Sequence, residues 1–339
     1  MSRAVVFDAF GLSHLRVSEN PENPPGPGQV RVALRAVSLN YRDLLMVRGH
    51  YNPKLAMPMI PCSDGAGEII AIGAGVEGLQ VGDRVCTTMI PDWEAGHPPS
   101  GLHESTLGGP AQGVLATERN LPANAVLPLP DAIDDLTACC LPVAGLTAWN
   151  ALVETAAVGP GDRVLLLGTG GVSMMALGLA KQLGAQVAIT SSSDVKLARA
   201  KVLGADLTIN YREQPKWSKA LRSSWQDGVD LVLEVGGAGT FDQSVKATKP
   251  GGCVALIGVL ASGDHPVNLV PVLMNHIRVQ GILVGSRAMF AQYLAFSAEQ
   301  RPHVEIDKVF QGLDQAAEAF NYLAAAQHLG KVVIRIADP

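Results

Sequence analysis

The chain is poor in the features that mark a membrane protein, a disulfide scaffold or a nucleic-acid binder. Among its 339 residues no apolar stretch, residues 164–167 and 254–257 included, extends toward the ~18 residues of a membrane helix. A mean hydropathy of +0.21 therefore reflects core rather than membrane spans. The first residues, 3–7, read as a short strand and lack the long apolar region of a secretory signal, so a cytoplasmic protein is expected. Cysteines number five, and Cys62, Cys86, Cys139, Cys140 and Cys253 are scattered without a Cys-x-x-Cys pair. This excludes a disulfide framework and a zinc knuckle, and it fits a reducing compartment. Adjacent cysteines reach disulfide geometry only with strain, so Cys139 and Cys140 are read as small buried hydrophobes. Basic residues are outnumbered, 26 Lys and Arg against 31 Asp and Glu, and no basic stripe is present to neutralise phosphates, which argues against nucleic acid as a partner. Aromatic residues are only 5%, so the core is mostly aliphatic, while 47% hydrophobic against 17% charged residues excludes a disordered chain.

What the chain does have is length for two domains at roughly 150 residues each, with 36 glycines and 22 prolines to punctuate them. The first third carries short runs at residues 29–39, 64–73, 83–89 and 113–116, separated by Pro-Gly clusters such as Pro24-Pro-Gly-Pro-Gly28. That is β-rich grammar, with one short helix at residues 41–48. From about residue 125, apolar runs alternate with helix-length amphipathic segments, the pattern of βαβ units around a parallel sheet. Strands are expected at 163–167, 186–189, 207–209, 229–234 and 253–257, and helices at 172–183, 194–203, 216–225 and 240–247. The last stretch, with a strand near 279–284, helices near 288–298 and 313–326 and a strand at 331–336, is expected to return to the first domain. The division is then 1–124 with 276–339 for the β-rich domain, and 125–275 for an α/β, doubly wound Rossmann domain.

Gly168-Thr-Gly-Gly-Val-Ser173 follows the strand run and opens a helical pattern. In that context Gly168 makes the tight turn, Gly170 admits a pyrophosphate to the backbone, and the helix start at Gly171 and Val172 presents free N–H groups to the anion. Thr169 lies in the same loop, and Ser173 replaces the third glycine of the fingerprint with another small residue. The next strand runs into Thr190-Ser-Ser-Ser193, where an NAD site would place a carboxylate for the ribose hydroxyls. Ser191, Ser192 and Lys196, with Tyr211 and Arg212 after the third strand, instead supply donors and positive charge for a 2′-phosphate, so NADP is favoured over NAD. Ser192, Ser193 and Asp194 are also natural helix caps, which is compatible with phosphate binding.

Six ordered motifs combine here: Val37-Ser-Leu-Asn-Tyr-Arg-Asp43, Pro61-Cys-Ser-Asp-Gly-Ala-Gly-Glu68, Val81-Gly-Asp-Arg-Val85, Ala144-Gly-Leu-Thr-Ala-Trp149, the Gly168 loop, and Ala205-Asp-Leu-Thr-Ile-Asn-Tyr-Arg212. Together they resemble the medium-chain dehydrogenase/reductase superfamily, in its zinc-free branch of quinone oxidoreductase-like and alcohol dehydrogenase-like members. The resemblance covers essentially the whole chain. It implies a GroES-like catalytic domain built from both chain ends, an inserted nucleotide domain, a cleft between them, and a homodimer formed through edge strands. Zinc-dependent members of the superfamily carry catalytic-metal ligands at three positions, which here are Asn40, Ser63 and Val143. Zinc wants thiolate, imidazole or carboxylate, so no metal is expected. Cys62 stands one residue off, and Asp64 keeps the acidic neighbour of the lost ligand.

Without a metal, the charge that a hydride leaves on a carbonyl oxygen must be met by hydrogen-bond donors. Asn40 offers an amide, Tyr41 a phenol that acts as an acid at neutral pH, and Arg42 a cation if it faces the substrate. Such donors suit quinones and α,β-unsaturated carbonyls, giving a zinc-independent NADPH oxidoreductase as the first reading. An alcohol dehydrogenase or aldehyde reductase, and a non-catalytic NADPH-binding regulator, are the alternatives. Asn40 and Asp43 also suit helix capping, and Asp43 is read as structural. The resemblance places Thr147 beside the nicotinamide, with packing as the other reading. It lays Gly236, Gly258, Val259, Val284, Gly285 and Ser286 against the cofactor, with plain turns after strands as the other reading, and it puts Lys331 near the phosphates or nicotinamide, unless it is a surface lysine.

Overall fold

The alternating apolar residues of the first third build antiparallel strand pairs. In the computed structural model, which describes residues 2–21, 23–261, 266–301 and 303–336, β1 (Arg3–Val6) pairs with β2 (Arg16–Glu19). The long β3 (Gln29–Leu39) alternates buried and half-buried residues before its last four become fully buried. Immediately after it comes α1 (Tyr41–Val47), then β4 (Asp64–Ile72), β5 (Arg84–Thr87), β6 (Glu118–Pro122) and β7 (Val126–Pro128). Next, α2 (Asp135–Ala138) starts on Asp134, whose carboxylate accepts from the Thr137 N–H. The chain continues through a π-helical turn at Leu141–Gly145, the short α3 (Leu146–Trp149) and a second π-helical stretch at Asn150–Thr155.

Strands then alternate with helices: β8 (Arg163–Leu167), α4 (Gly171–Gln182), β9 (Gln186–Ser191), α5 (Asp194–Val202), β10 (Leu207–Asn210), α6 (Trp217–Ser224), β11 (Val229–Glu234), α7 (Ala238–Ala247), β12 (Thr248–Leu256), α8 (Val270–Met274) and β13 (Arg278–Gly281). These six strands form one parallel sheet in the order β10-β9-β8-β11-β12-β13. The order reverses between β8 and β11, the doubly wound arrangement whose ligands bind beyond the strand carboxyl ends. The chain closes with α9 (Arg287–Gln300), β14 (Ile306–Gln311), α10 (Ala316–Ala324) and β15 (Lys331–Arg335). β15 lies antiparallel against β3, inside the seven-stranded first sheet.

The chain divides into two units, Met1–Leu146 with Val284–Pro339, and Thr147–Leu283. These divisions lie later in the chain than the boundaries read from the sequence. Each unit has its own aliphatic core, one around Val32, Leu34, Val37 and Phe320, the other around Leu165, Val232 and Val254. Two expectations are corrected, and one strand is added. The strand expected near 279–284 does not return to the first domain: β13 is the sixth strand of the parallel sheet, paired with β12. Residues 113–116 are not a strand, because Gly113 and Val114 donate instead to the carbonyls of Ile60 and Cys62 in a buried loop. β14 was not foreseen; its partner is β15, contributed from the chain's other side of α10.

Candidate active site

In the second unit, β8 ends at Leu167 and the chain turns at Gly168, whose φ of +71° is natural for glycine. Its N–H donates to Thr190 Oγ1 at 3.3 Å, tying the loop to β9. Gly170 begins α4 without a side-chain cap, and a Cβ at Gly168 or Gly170 would meet no atom within 4 Å. The first-turn N–H groups of Gly171, Val172 and Ser173 thus lie at a helix start beside an open loop, the arrangement that takes an anion. Thr169 is buried. Ser173 Oγ donates to Leu167 O at 2.7 Å, so the serine that replaces the third glycine pins the helix start to the strand end. These residues fit a dinucleotide pyrophosphate.

The parallel register sets Asn210 opposite Ser191, which brings Ser191 and Ser192 to the same sheet end as Tyr211 and Arg212. Tyr211 N–H donates to Ser191 O at 3.1 Å, and the side chains of Tyr211 and Arg212 are exposed. Ser193 caps α5 by accepting from the Lys196 N–H, and Lys196 is half-buried with a further interaction inside the chain. The carboxylate of Asp194 is engaged by Asn210 Nδ2 at 2.8 Å, which leaves hydroxyls at the end of β9.

Reasoning from sequence missed Glu234. Its carboxylate is fully buried; Oε1 accepts from the Gly236 N–H at 2.7 Å, the Gly237 N–H at 2.9 Å and Thr240 Oγ1 at 2.5 Å, while Oε2 accepts from Ser244 Oγ. It therefore shapes the loop after β11 and the start of α7. The loop after β12 packs on it, with Leu260 and Ala261 donating to the carbonyls of Val235 and Gly236. A Cβ on Gly236 would lie 2.2 Å from Thr240 Oγ1, and one on Gly258 2.6 Å from Val235 O. Both glycines are thus required by the chain's own packing. Val259 is exposed. A carboxylate two residues before a Gly-Gly pair at a strand end was the signal for Glu234.

Val284, Gly285 and Ser286 belong to the first unit. Val284 is buried at a φ of +53°, Gly285 packs against Leu146, and Ser286 Oγ caps α9 by accepting from the Met289 N–H at 3.2 Å. Thr147 is buried in α3, between the two π-helical stretches.

The first unit gathers a second constellation. β3 lies between β15 and β4, with Leu39 opposite Val332 and Ser38 opposite Asp64. That register brings Asn40, just past β3, together with Lys331 and Asp64, which begin their strands. Lys331 is only 2% exposed, so it is no surface lysine; its Nζ donates to Leu39 O at 2.9 Å and Asn40 Oδ1 at 2.6 Å. Asp64 is fully buried, accepting from Ser63 Oγ at 2.7 Å and from the Val143 N–H at 3.2 Å. The three positions where zinc-dependent members carry metal ligands therefore do converge, around Asp64. Burial raises the Asp64 pKa, opposed by Lys331, Ser63, Asn40 and the Val143 N–H.

Around this centre Asn40 and Asp43 form a capping box, the Asn40 N–H donating to Asp43 Oδ2 at 2.8 Å. Burial pushes the Asp43 pKa up to about 6 against the pull of Arg42. The guanidinium of Arg42 donates to Asp43 Oδ1, Leu107 O and Gly109 O inside the unit, so it is a structural tie and not a cation offered to substrate. Tyr41, one residue earlier, is 46% exposed. Asn40 is 8% exposed; its Nδ2 faces Asp64 closely enough to favour the carboxylate, yet closes no hydrogen bond. The chain bends sharply before Asp64, with Cys62 at a φ of +70°. Cys62 is fully buried, and burial, with Asp43 and Asp64 nearby, pushes its thiol well above the usual range. Zinc does not fit this donor set: an amide, a hydroxyl and a valine replace thiolate and imidazole, and a lysine ammonium lies where positive charge would repel a cation. Among the described residues no three or more His, Cys, Asp or Glu side chains group to hold a metal.

Residues 26–131 match a family model described as the alcohol dehydrogenase GroES-like domain, and residues 171–299 match one described as zinc-binding dehydrogenase. A zinc-type alcohol dehydrogenase-like protein of Schizosaccharomyces pombe is 41% identical over 98% of this chain and 99% of its own. A crystal structure of an NAD-dependent alcohol dehydrogenase superposes with a TM-score of 0.90 at 34% identity, over 99% of this chain and 100% of that one. The quinone oxidoreductase from Coxiella burnetii superposes at 0.80 with 27% identity, over 99% of both chains.

Proposed function

The chain belongs to the medium-chain dehydrogenase/reductase superfamily and is an NAD(P)-dependent oxidoreductase, and from that premise we propose that it uses NADPH, without zinc, to reduce a quinone, an enone or a related carbonyl. The observation that carries the reading is the first unit's constellation, where hydrogen-bond donors stand at the positions of metal ligands. A bound nicotinamide supplies the hydride. Asn40 Nδ2 donates to the substrate oxygen as charge grows there, and the Tyr41 phenol delivers the proton at neutral pH. Donors of this strength suit an acceptor that delocalises its charge better than they suit a simple alkoxide. The nucleotide is held by residues 168–172, and Ser191, Ser192, Lys196, Tyr211 and Arg212 receive its 2′-phosphate; the absence of a carboxylate at the end of β9 supports NADPH. On the second unit Gly236, Gly258 and Val259 are assigned to the cofactor and Thr147 to its nicotinamide; on the first, Val284, Gly285 and Ser286 are assigned to the cofactor, whereas Lys331, whose ammonium is bound to Leu39 and Asn40, is not.

The similarity to alcohol dehydrogenases favours alcohol oxidation or aldehyde reduction as the second reading. A homodimer is supported by the exposed edge strand β13 and the exposed apolar residues Leu269, Val270, Leu273 and Met274 beside it. Five free, buried cysteines support a cytoplasmic location. The test is a spectrophotometric screen of NADPH and NADH oxidation against quinones, enones, aldehydes and ketones, with elemental analysis of the same protein. The expected result is NADPH-driven reduction of quinones or enones, unchanged by EDTA, with far less than one zinc per chain. Turnover that tracks zinc content, or none with any acceptor, overturns the proposal.

A further inference from the structure

A lysine ammonium donates hydrogen bonds and cannot accept them. Lys331 Nζ lies 2.6 Å from one end of the Asn40 side-chain amide, so that end is the oxygen and the opposite end is the NH2. The rest of the residue is held as firmly. Its backbone N–H is bound by Asp43 Oδ2, and the carbonyl of the preceding Leu39 accepts from the same Lys331 ammonium. Lys331 thus spends its hydrogen bonds on Leu39 and Asn40 rather than on either buried carboxylate nearby. What remains is Asn40 Nδ2, an amide nitrogen with two N–H groups, more than nine-tenths buried, which faces the Asp64 carboxylate without closing a hydrogen bond to it. The Asp64 oxygens already accept from Ser63 and Val143. A buried donor left unpaired is costly to a fold, and such groups mark places where a ligand completes the bonding.

We propose that Lys331 is a positioning residue that locks the Asn40 amide with its oxygen inward, so that Nδ2 is presented as a fixed donor to the substrate's carbonyl oxygen. The ammonium also draws electron density toward Asn40 Oδ1, which makes the Nδ2 hydrogens stronger donors. The role follows from sheet register: Lys331 opens the strand beside β3, directly across from the residue that must be oriented. This inference rests on the reading of Asn40 as the donor to substrate, and the experiment keeps the two apart.

Reduction of 1,4-benzoquinone and 2-cyclohexen-1-one by NADPH is measured for the full-length protein, N40A, K331M and the N40A/K331M double variant, with NADPH affinity followed by fluorescence. N40A is expected to lower kcat about 10²-fold, the scale of losing one oxyanion donor. K331M is expected to lower kcat at least tenfold with NADPH affinity within twofold of wild type. Adding K331M to N40A should lower kcat less than twofold further, since a residue acting through Asn40 has nothing left to orient. If the two losses multiply, Lys331 acts on its own and the inference falls while the reading of Asn40 stands. If N40A keeps full kcat, or neither acceptor is reduced by wild type, the reading beneath it falls. Should K331M fail to fold, an atomic-resolution crystal structure of wild type with NADP and cyclohexanone decides the matter through the orientation of the amide. Oxygen toward Lys331, with any bound ketone on Nδ2, supports the inference; Nδ2 toward Lys331, or the ketone oxygen on Nζ, overturns it.

Discussion

Removing the Glu234 side chain should loosen the nucleotide unit from a single point. In the folded chain this buried carboxylate accepts four hydrogen bonds, two from the main-chain N–H groups of Gly236 and Gly237 and two from the hydroxyls of Thr240 and Ser244. In E234A the hydroxyls can turn elsewhere, as Thr240 Oγ1 already does toward Gly237 O at 3.3 Å, but the two amides cannot. Each stranded buried N–H costs about 1–3 kcal/mol, and the vacated methylene volume adds about 1 kcal/mol, partly offset because no charge remains to be desolvated. The expected loss is about 3–5 kcal/mol. E234Q is the control: its oxygen can serve Gly236, Gly237 and Thr240, while its NH2 donates to Ser244, whose hydroxyl accepts as readily as it donates. Exchanging charged for neutral hydrogen bonds should then cost only about 1–2 kcal/mol. Urea unfolding followed through Trp217 and Trp225, both packed in the second unit's core, measures the loss, and amide exchange at Gly236 and Gly237 localises it. An E234A variant within about 1 kcal/mol of wild type, or E234Q as damaging as E234A, would refute the reasoning.

Two further outcomes follow from other parts of the molecule. S191D restores a carboxylate at the end of β9; against a phosphate charge about 4 Å away at an effective dielectric near 20, repulsion of about 4 kcal/mol should cut kcat/KM for NADPH by 10²-fold or more while NADH improves, and unchanged preference would dismiss the hydroxyls as phosphate partners. Asp43, raised to about 6 from 3.8, holds a proton in the folded chain that the unfolded chain has released, so its contribution to stability is lost as the pH rises from about 4 through 6. Urea titrations across that window should show a falling slope in wild type that flattens in D43N, and parallel slopes would show that Asp43 does not titrate there.

The elements most legible in the sequence are those specified by short-range pattern. β8 and β11 begin and end where their apolar runs do, and the Gly168 loop sits between strand and helix as its spacing requires. The capping residues Asn40 and Ser193 were equally readable, because a cap interacts with N–H groups two or three residues away. Misreadings gathered where pairing partners are distant in the chain. Nothing local distinguishes β13 as the sixth strand of the parallel sheet from a strand returning to the first domain, since both are exposed runs after a helix. Arg42 looked like a cation for substrate because the carbonyls of Leu107 and Gly109, which engage it, lie some sixty-five residues away.

The candidate site shows the same division. Composition and motif order alone determine the fold family, the glycine loop between strand and helix, the hydroxyl residues at the end of β9, and the absence of a thiolate, imidazole or carboxylate side chain at Asn40, Ser63 and Val143. Only the tertiary structure decided what stands in their place. Antiparallel pairing of β3 with both β4 and β15 carries Asp64 and Lys331 to Asn40 from opposite sides, a juxtaposition across 291 residues for the lysine. Register is set by which strands share a sheet and by the core they bury together, and a single strand's sequence contains neither.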